Sequence, residues 1–130
     1  MNTYIGNIEK ETLENNNFQK VLFTAKHSQL VVMSLKAGED IGSEVHQLDQ
    51  FIRVDKGTGK TVLDGKETEI SDGFAVVVPS GVEHNIINTG TDEMKLYTVY
   101  SPPNHKDGTV HKTKEIAESG EEHFDGQTSL

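Results

Sequence analysis

Two short segments of this 130-residue chain carry side chains whose types and spacing could bind one divalent metal ion. In the first segment Glu44 and His46 alternate, so both side chains point to the same face of an extended strand, and Gln50 has the same parity. In the second segment an apolar run ends at the turn Pro79-Ser80-Gly81, and His84 follows three residues after this turn. Two imidazoles, a carboxylate and an amide from two hairpins could therefore meet around one cation.

The donor set also indicates what such a metal could do. Glu44, His46 and His84 supply two imidazoles and one carboxylate, which is the ligand composition of facial-triad sites with open coordination positions. The single carboxylate would leave a net positive charge on a divalent ion, which permits Lewis acid activation of a carbonyl or water. Iron, manganese, nickel, cobalt and zinc all fit this set. Gln50 is a weak neutral donor, so it either coordinates loosely or only hydrogen-bonds beside the metal.

Both segments resemble the conserved motifs of the cupin family. The second segment matches the second cupin motif, G-x5-P-x-G-x2-H-x3-N, at each defined position: Gly73, Pro79, Gly81, His84 and Asn88. The first is similar to the first cupin motif, G-x5-H-x-H-x3-E-x6-G, at Gly38, Glu44, His46, Gln50 and Gly57. Glu44 stands where a histidine is usual, and Gln50 where a glutamate is usual. The resemblance implies a small single-domain bacterial cupin of the sugar-phosphate-isomerase-like group, with the metal in the barrel.

The surrounding sequence predicts an all-β fold. Eight or nine short strand-like runs are separated by glycine turns, and no helical period is sustained, which favours a barrel or double sheet. The resemblance implies the cupin double-stranded β-helix, a jelly-roll-like barrel. We divide the chain into a polar N-terminal arm with little structure (1–19), the barrel (20–101), and a C-terminal lid or tail (102–130) with a short helix around Thr113 to Ser119.

The C-terminal segment supplies two candidate catalytic histidines. Pro102-Pro103 should end the last strand, because proline has no amide for a ladder bond. His105 and His111 follow, around the flexible Gly108, and a similar segment occurs after the last strand in a group of small bacterial cupins. A histidine titrates near physiological pH, so a hinged lid with acid–base capacity is one interpretation. A polar, mobile tail is the other.

Composition limits the partners. The net charge of −9 opposes the phosphate neutralisation on which nucleic-acid binding depends. No apolar run approaches the ~20 residues of a membrane helix, and no signal-peptide pattern opens the chain, so we expect a cytoplasmic protein.

If Gln50, Ile52 and Val54 point inward, strand alternation sends Arg53, the one arginine, to the outer face. The resemblance implies a homodimer, with outer sheets paired, arms exchanged and Phe18 as an anchor.

Three functional classes remain open at this stage. The first is a metal-dependent isomerase, lyase or dioxygenase acting on a small oxygenated metabolite. The second is a non-catalytic module that binds or senses a small molecule in the same cavity. The third is a barrel with little metal affinity, kept for dimerisation or partner binding. The open coordination positions favour the first class, and the two unusual residues, Glu44 and Gln50, favour the other two.

Overall fold

The computed structural model describes residues 1–130 and shows nine strands and two short helices. The strands are Gln19–Thr24 (β1), Gln29–Leu35 (β2), Asp49–Lys56 (β3), Thr58–Leu63 (β4), Lys66–Ser71 (β5), Ala75–Val78 (β6), His84–Asn88 (β7), Met94–Ser101 (β8) and Val110–His111 (β9). The helices are Ile8–Glu14 (α1) and Lys114–Ser119 (α2). The all-β prediction is confirmed, and so is the short C-terminal helix.

The strands form two antiparallel sheets with the hydrophobic core between them. The larger sheet has the order β6-β3-β8-β2-β1-β9, and the smaller one β5-β4-β7. Met33, Ile52 and Leu96 of the larger sheet and Ile86 of the smaller one are fully buried. At Gly59 in β4, an added Cβ would lie 2.2 Å from the carbonyl oxygen of Ile87. Only glycine therefore lets β4 approach β7 this closely.

The side-chain alternation predicted for β3 is confirmed. Gln50, Ile52 and Val54 are buried on the inner face of the strand. Arg53 lies on the outer face, where its Nε is 3.2 Å from Oδ1 of Asp55. Arg53 is thereby ion-paired outside the barrel, and Gln50 is the polar side chain that β3 directs into the barrel.

The N-terminal segment is more ordered than predicted. The side chain of Asn7 caps α1 by accepting a hydrogen bond from the N–H of Lys10 at 3.1 Å, which satisfies a free amide of the first turn. The loop after α1 is fastened by Lys95, whose Nζ contacts Oδ1 of Asn16 at 3.1 Å and Oε2 of Glu93 at 2.7 Å. The prediction of an arm with little structure is therefore wrong. A helix of seven residues is too short to show a helical period in the sequence.

Phe18 packs into the barrel of its own chain. Its side chain is 6% exposed and belongs to the same hydrophobic core as Leu35 and Ile52 of its own barrel. The barrel of the same chain buries the ring, and the exchange of the arm with Phe18 as its anchor stays a prediction.

The C-terminal segment returns to the barrel after β8 ends at Ser101. The two-residue strand β9 pairs with β1, with His111 opposite Gln19. Thr113 caps α2 by accepting from the N–H of Ile116 at 3.2 Å. Near the end of the chain, the N–H of Ser129 donates to the carbonyl of Thr24 at 2.8 Å. The segment is thus tied to the first strand at several points. Neither helix is long and apolar enough to cross a membrane.

Candidate metal centre

Glu44 and His84 face each other across an antiparallel bridge between the two motif segments. Each N–H donates to the other residue's carbonyl at 2.9 Å. Side chains of directly opposed residues project from the same face of an antiparallel pair. The neighbouring turn is joined to this bridge by the N–H of Gly81, which donates to the carbonyl of His46 at 2.8 Å. Gly81 has a φ of +86°, which favours glycine at this position of the motif.

The side chains of Glu44, His46 and His84 converge as the sequence predicts. One ligand atom from each residue lies within 4.8 Å of the other two. Nε2 of His46 is 2.6 Å from Oε2 of Glu44. This close pair is not aligned as a hydrogen bond, since the buried Nε2 has no hydrogen-bond partner. Two donor atoms that lie close together without a hydrogen bond between them have the arrangement of ligands that converge on one ion.

The backbone fixes the orientation of His84. Its ring is 3% exposed, and its Nδ1 lies 2.9 Å from the carbonyl oxygen of Val82. A carbonyl can only accept, so Nδ1 carries the proton and Nε2 keeps its lone pair. This arrangement, in which a ligating imidazole donates its other N–H to a carbonyl, is common at metal sites.

Gln50 offers a further oxygen donor. Its side chain is 4% exposed, and Nε2 donates to Oγ1 of Thr98 at 3.0 Å. The amide oxygen, Oε1, is buried and has no hydrogen-bond partner. Buried polar atoms without partners are rare in folded proteins. The unpartnered Nε2 of His46, the free lone pair of His84 and the Glu44 carboxylate form a set that fits a divalent transition metal.

A cavity of about 200 Å³ lies beside Glu44, between the barrel and the C-terminal segment. Its walls are formed by ten residues: Phe18, Gln19, Ile41, Glu44, Tyr100, His105, Ala117, Glu118, Gly120 and Glu122. Three of these residues are glutamates, and none is lysine or arginine. The C-terminal segment thus closes one side of a small acidic cavity.

Tyr100 stands between the metal-binding side chains and the C-terminal segment. Its ring packs edge-on against His46, with centroids 6.0 Å apart, and against His105, with centroids 5.2 Å apart. Burial, together with the nearby carboxylates of Glu44 and Glu122, raises the pKa of Tyr100 above its ordinary value. The phenol therefore stays protonated and can donate a hydrogen bond into the cavity.

His105 lines the cavity, whereas His111 does not. Nδ1 of His105 is 2.6 Å from Oε1 of Glu122, and its Nε2 is 3.0 Å from Nε2 of Gln19. Burial by itself would raise the pKa of Glu122, but hydrogen bonds from His105 and from the N–H of Lys106 hold it below the ordinary value. His111 is half-buried, with its Nδ1 3.0 Å from Oε1 of Gln19.

The loop that carries His105 is hydrogen-bonded to the buried side chain of Gln29. Gln29 is 1% exposed, and its Oε1 accepts from the N–H groups of Asn104 at 3.2 Å and His105 at 2.9 Å. Its Nε2 donates to the carbonyl of His105 at 2.8 Å. One buried amide therefore satisfies three backbone groups of the loop, at Asn104 and His105, and the hinge around Gly108 stays a prediction.

Sequence reasoning missed several residues of the cavity. Tyr100 could have been found, because it shares parity with the buried residues Leu96 and Thr98 along β8. Gln19 and Gln29 carried a weaker signal, as polar residues in strands that are mostly buried. Glu122 carried none, because its position depends on the path of the tail.

Comparisons with known proteins agree with this geometry. The family model described as "Cupin domain" matches residues 31–100. The chain is 46% identical over 127 residues to the uncharacterized protein YrkC of Bacillus subtilis (strain 168), covering 92% of this chain and 68% of that protein. It is similar to the crystal structure of BH2720 from Bacillus halodurans, with 42% identity, a TM-score of 0.90, and 92% and 96% of the two chains covered. It also resembles a predicted oxalate decarboxylase from Thermotoga maritima, with 26% identity, a TM-score of 0.57, and 59% and 68% covered.

Proposed function

The chain belongs to the cupin family, and from this premise we propose that it is a metal-dependent enzyme acting on a small oxygenated metabolite. The observation that carries the proposal is the convergence of Glu44, His46 and His84 within 4.8 Å of one another. In a purely structural cluster we would expect the buried nitrogen of His46 to be hydrogen-bonded, and it is not. Glu44, His46 and His84 would hold the metal, with Gln50 beside them.

A bound divalent metal would supply Lewis acid polarisation of a carbonyl or hydroxyl oxygen. The side chains around the cavity would supply the rest of the chemistry. Tyr100 would donate a hydrogen bond to an oxygen of the metabolite, because its phenol stays protonated. His105, whose ring packs against that of Tyr100, would accept or return a proton, and the ionised Glu122 beside it would stabilise the imidazolium that forms.

The size and charge of the cavity narrow the kind of metabolite. A volume of about 200 Å³ lies below the roughly 300 Å³ at which pockets for drug-sized ligands begin. The walls carry three glutamates and no lysine or arginine, so they offer no cationic clamp for a phosphate or carboxylate. A small hydroxylated or carbonyl compound therefore suits the cavity better than a sugar phosphate.

Metal analysis of the purified protein tests the proposal directly. After removal of bound metal, the protein is reloaded separately with manganese, iron, cobalt, nickel and zinc, and metal content is measured per chain. We expect near-stoichiometric binding of at least one of these metals and a large loss in His46→Ala and His84→Ala. The exposed His27, in the turn between β1 and β2, provides the matched control, and His27→Ala should bind like the wild type. A wild-type protein that stays metal-free at micromolar supply would refute the proposal.

A further inference from the structure

We propose that Glu122 and Gln19 are positioning residues that hold His105 as the Nδ1–H tautomer, with its Nε2 facing Gln19 and Tyr100. The C-terminal tail would then be part of the active site as well as its cover. The inference deepens the proposed function and rests on it for the catalytic meaning of His105. The tautomer itself does not depend on a bound metal.

The hydrogen bonds of Glu122 determine which nitrogen of His105 carries the proton. Oε2 accepts from the backbone N–H of Lys106 at 3.0 Å, and Oε1 lies 2.6 Å from Nδ1 of His105. An ionised carboxylate can only accept hydrogen bonds, so Nδ1 must be the donor. The distance is that of a strong, charge-assisted hydrogen bond. A neutral imidazole that donates from Nδ1 then has its lone pair on Nε2.

The amide of Gln19 fits the same assignment from the other side. Its Nε2 lies 3.0 Å from Nε2 of His105, and its Oε1 lies 3.0 Å from Nδ1 of His111. With a lone pair on His105 Nε2, the amide donates to His105 and accepts from His111, and every contact is satisfied. A proton on Nε2 of His105 would instead point at the amide N–H of Gln19. The side-chain amide of Gln19 would then have to flip so that its oxygen faces His105. Gln19 therefore favours the neutral Nδ1–H form.

The surroundings of the ring assign the acid–base role to His105 rather than to His111. The groups facing His105 are Glu122 on the tail, Gln19 on β1, Asn104 on its own loop and the phenol of Tyr100 on β8, whose oxygen lies 3.5 Å from Nε2. Glu44 and Glu118 share the cavity. Among these groups His111 is hydrogen-bonded only to Gln19, its charge also helps to lower the pKa of Glu122, and its side chain does not line the cavity. A carboxylate that fixes the tautomer of a histidine is a common device for preparing a proton acceptor.

Nitrogen-15 NMR of the uniformly labelled, full-length chain tests the assignment. Long-range proton–nitrogen correlation spectra near neutral pH distinguish the two imidazole tautomers, and His105→Gln identifies the signals. We expect Nδ1–H at His105 in the wild type and loss of this preference in Glu122→Ala. Glu118→Ala is the matched control, because Glu118 lines the same cavity from the same tail but pairs only with Lys114, at 3.6 Å. The metal content of both variants should equal that of the wild type.

The wild-type spectrum is decisive even if a variant folds poorly. An Nε2–H tautomer at His105 in the wild type would overturn the proposal. So would a Glu122→Ala spectrum that keeps the wild-type tautomer, or a Glu118→Ala spectrum that changes as much as that of Glu122→Ala. A wild-type protein without metal but with Nδ1–H at His105 would refute the proposed function alone and leave the positioning by Glu122 standing.

Discussion

Two residues, Glu44 and Gln50, distinguish this metal centre from the usual cupin motif. Glu44 is locked by its backbone opposite His84, and its carboxylate is 2.6 Å from Nε2 of His46. Gln50 is more deeply buried, but half of its amide is already used by Thr98. The carboxylate that the usual motif has at the position of Gln50 is thus found at Glu44 in this chain. The number of anionic donors around the site remains one.

This exchange predicts a ranking of the two side chains in metal binding. Replacing Glu44 by glutamine removes the one charged donor and its Coulomb attraction to the cation. We expect it to weaken metal affinity by more than the roughly 10–100-fold typical of losing an outer-shell partner. Gln50→Ala should fall within that range, and Gln50→Glu should tighten binding by adding a second anionic oxygen. Calorimetric titration of the metal-free protein measures all three variants. The reverse order for Glu44→Gln and Gln50→Ala would contradict the ligand assignment.

The way in which the C-terminal segment is attached to the barrel determines where His105 lies. β9 pairs with β1, and α2 follows it, with Ala117 packed against the hydrophobic core. The loop between β8 and β9 has no strand partner of its own at His105, and the buried side chain of Gln29 satisfies its backbone instead. The side chain of Gln29 in β2 therefore makes the backbone hydrogen bonds that a neighbouring strand would otherwise make.

Replacing Gln29 by leucine should destabilise the fold measurably. The backbone N–H and C=O of His105 would both lose their partners in a buried place, and each unsatisfied group costs about 1–3 kcal/mol. The free energy of unfolding, measured by urea denaturation, should fall by an amount of this order. Gln127→Leu is the control, since Gln127 is exposed and its side chain makes no hydrogen bond in the structure. Equal effects of the two substitutions would show that Gln29 does not hold the loop.

Strands that are marked by local sequence signals were predicted well from the sequence. Elements and contacts that depend on the path of the whole chain were predicted poorly. Glycine turns and inward alternation marked the strands, and shared parity placed Glu44 and His46 together with His84 from the matching motif. The seven-residue helix α1 and the two-residue strand β9 were missed, because elements of that length show no period. Glu122 meets His105 across a separation of 17 residues, and the path between them runs through β9, α2 and the turns around them. No spacing rule predicts such a contact.

At the scale of the whole molecule, the outer face of the six-stranded sheet is the surface that most needs a partner. Val77, Phe51, Val99 and Leu30 follow one another across four neighbouring strands in direct register. Val77 is 63% exposed, and the ring of Phe51 lies 6.2 Å from that of Tyr97. The helix α1 packs against β8, β3 and β2, and this row still retains exposed apolar surface. A contiguous apolar patch of this kind typically marks an interaction site.

We therefore propose that the chain forms a homodimer through this face, which also continues towards the unpaired edge of β6. Val77→Lys would place an ammonium group at the most exposed residue of the apolar row, where pairing would bury it without a counter-charge. We expect light scattering to give a dimer for the wild type and a monomer for Val77→Lys. Val110→Lys is the control, because Val110 is 47% exposed but lies on β9, at the opposite edge of the same sheet. This variant should remain dimeric and bind metal like the wild type.

Since the net charge of −9 makes two chains repel at long range, dimerisation should also strengthen with added salt. A wild-type mass near 14.3 kDa at every protein and salt concentration would refute the dimer and leave the apolar face to another partner.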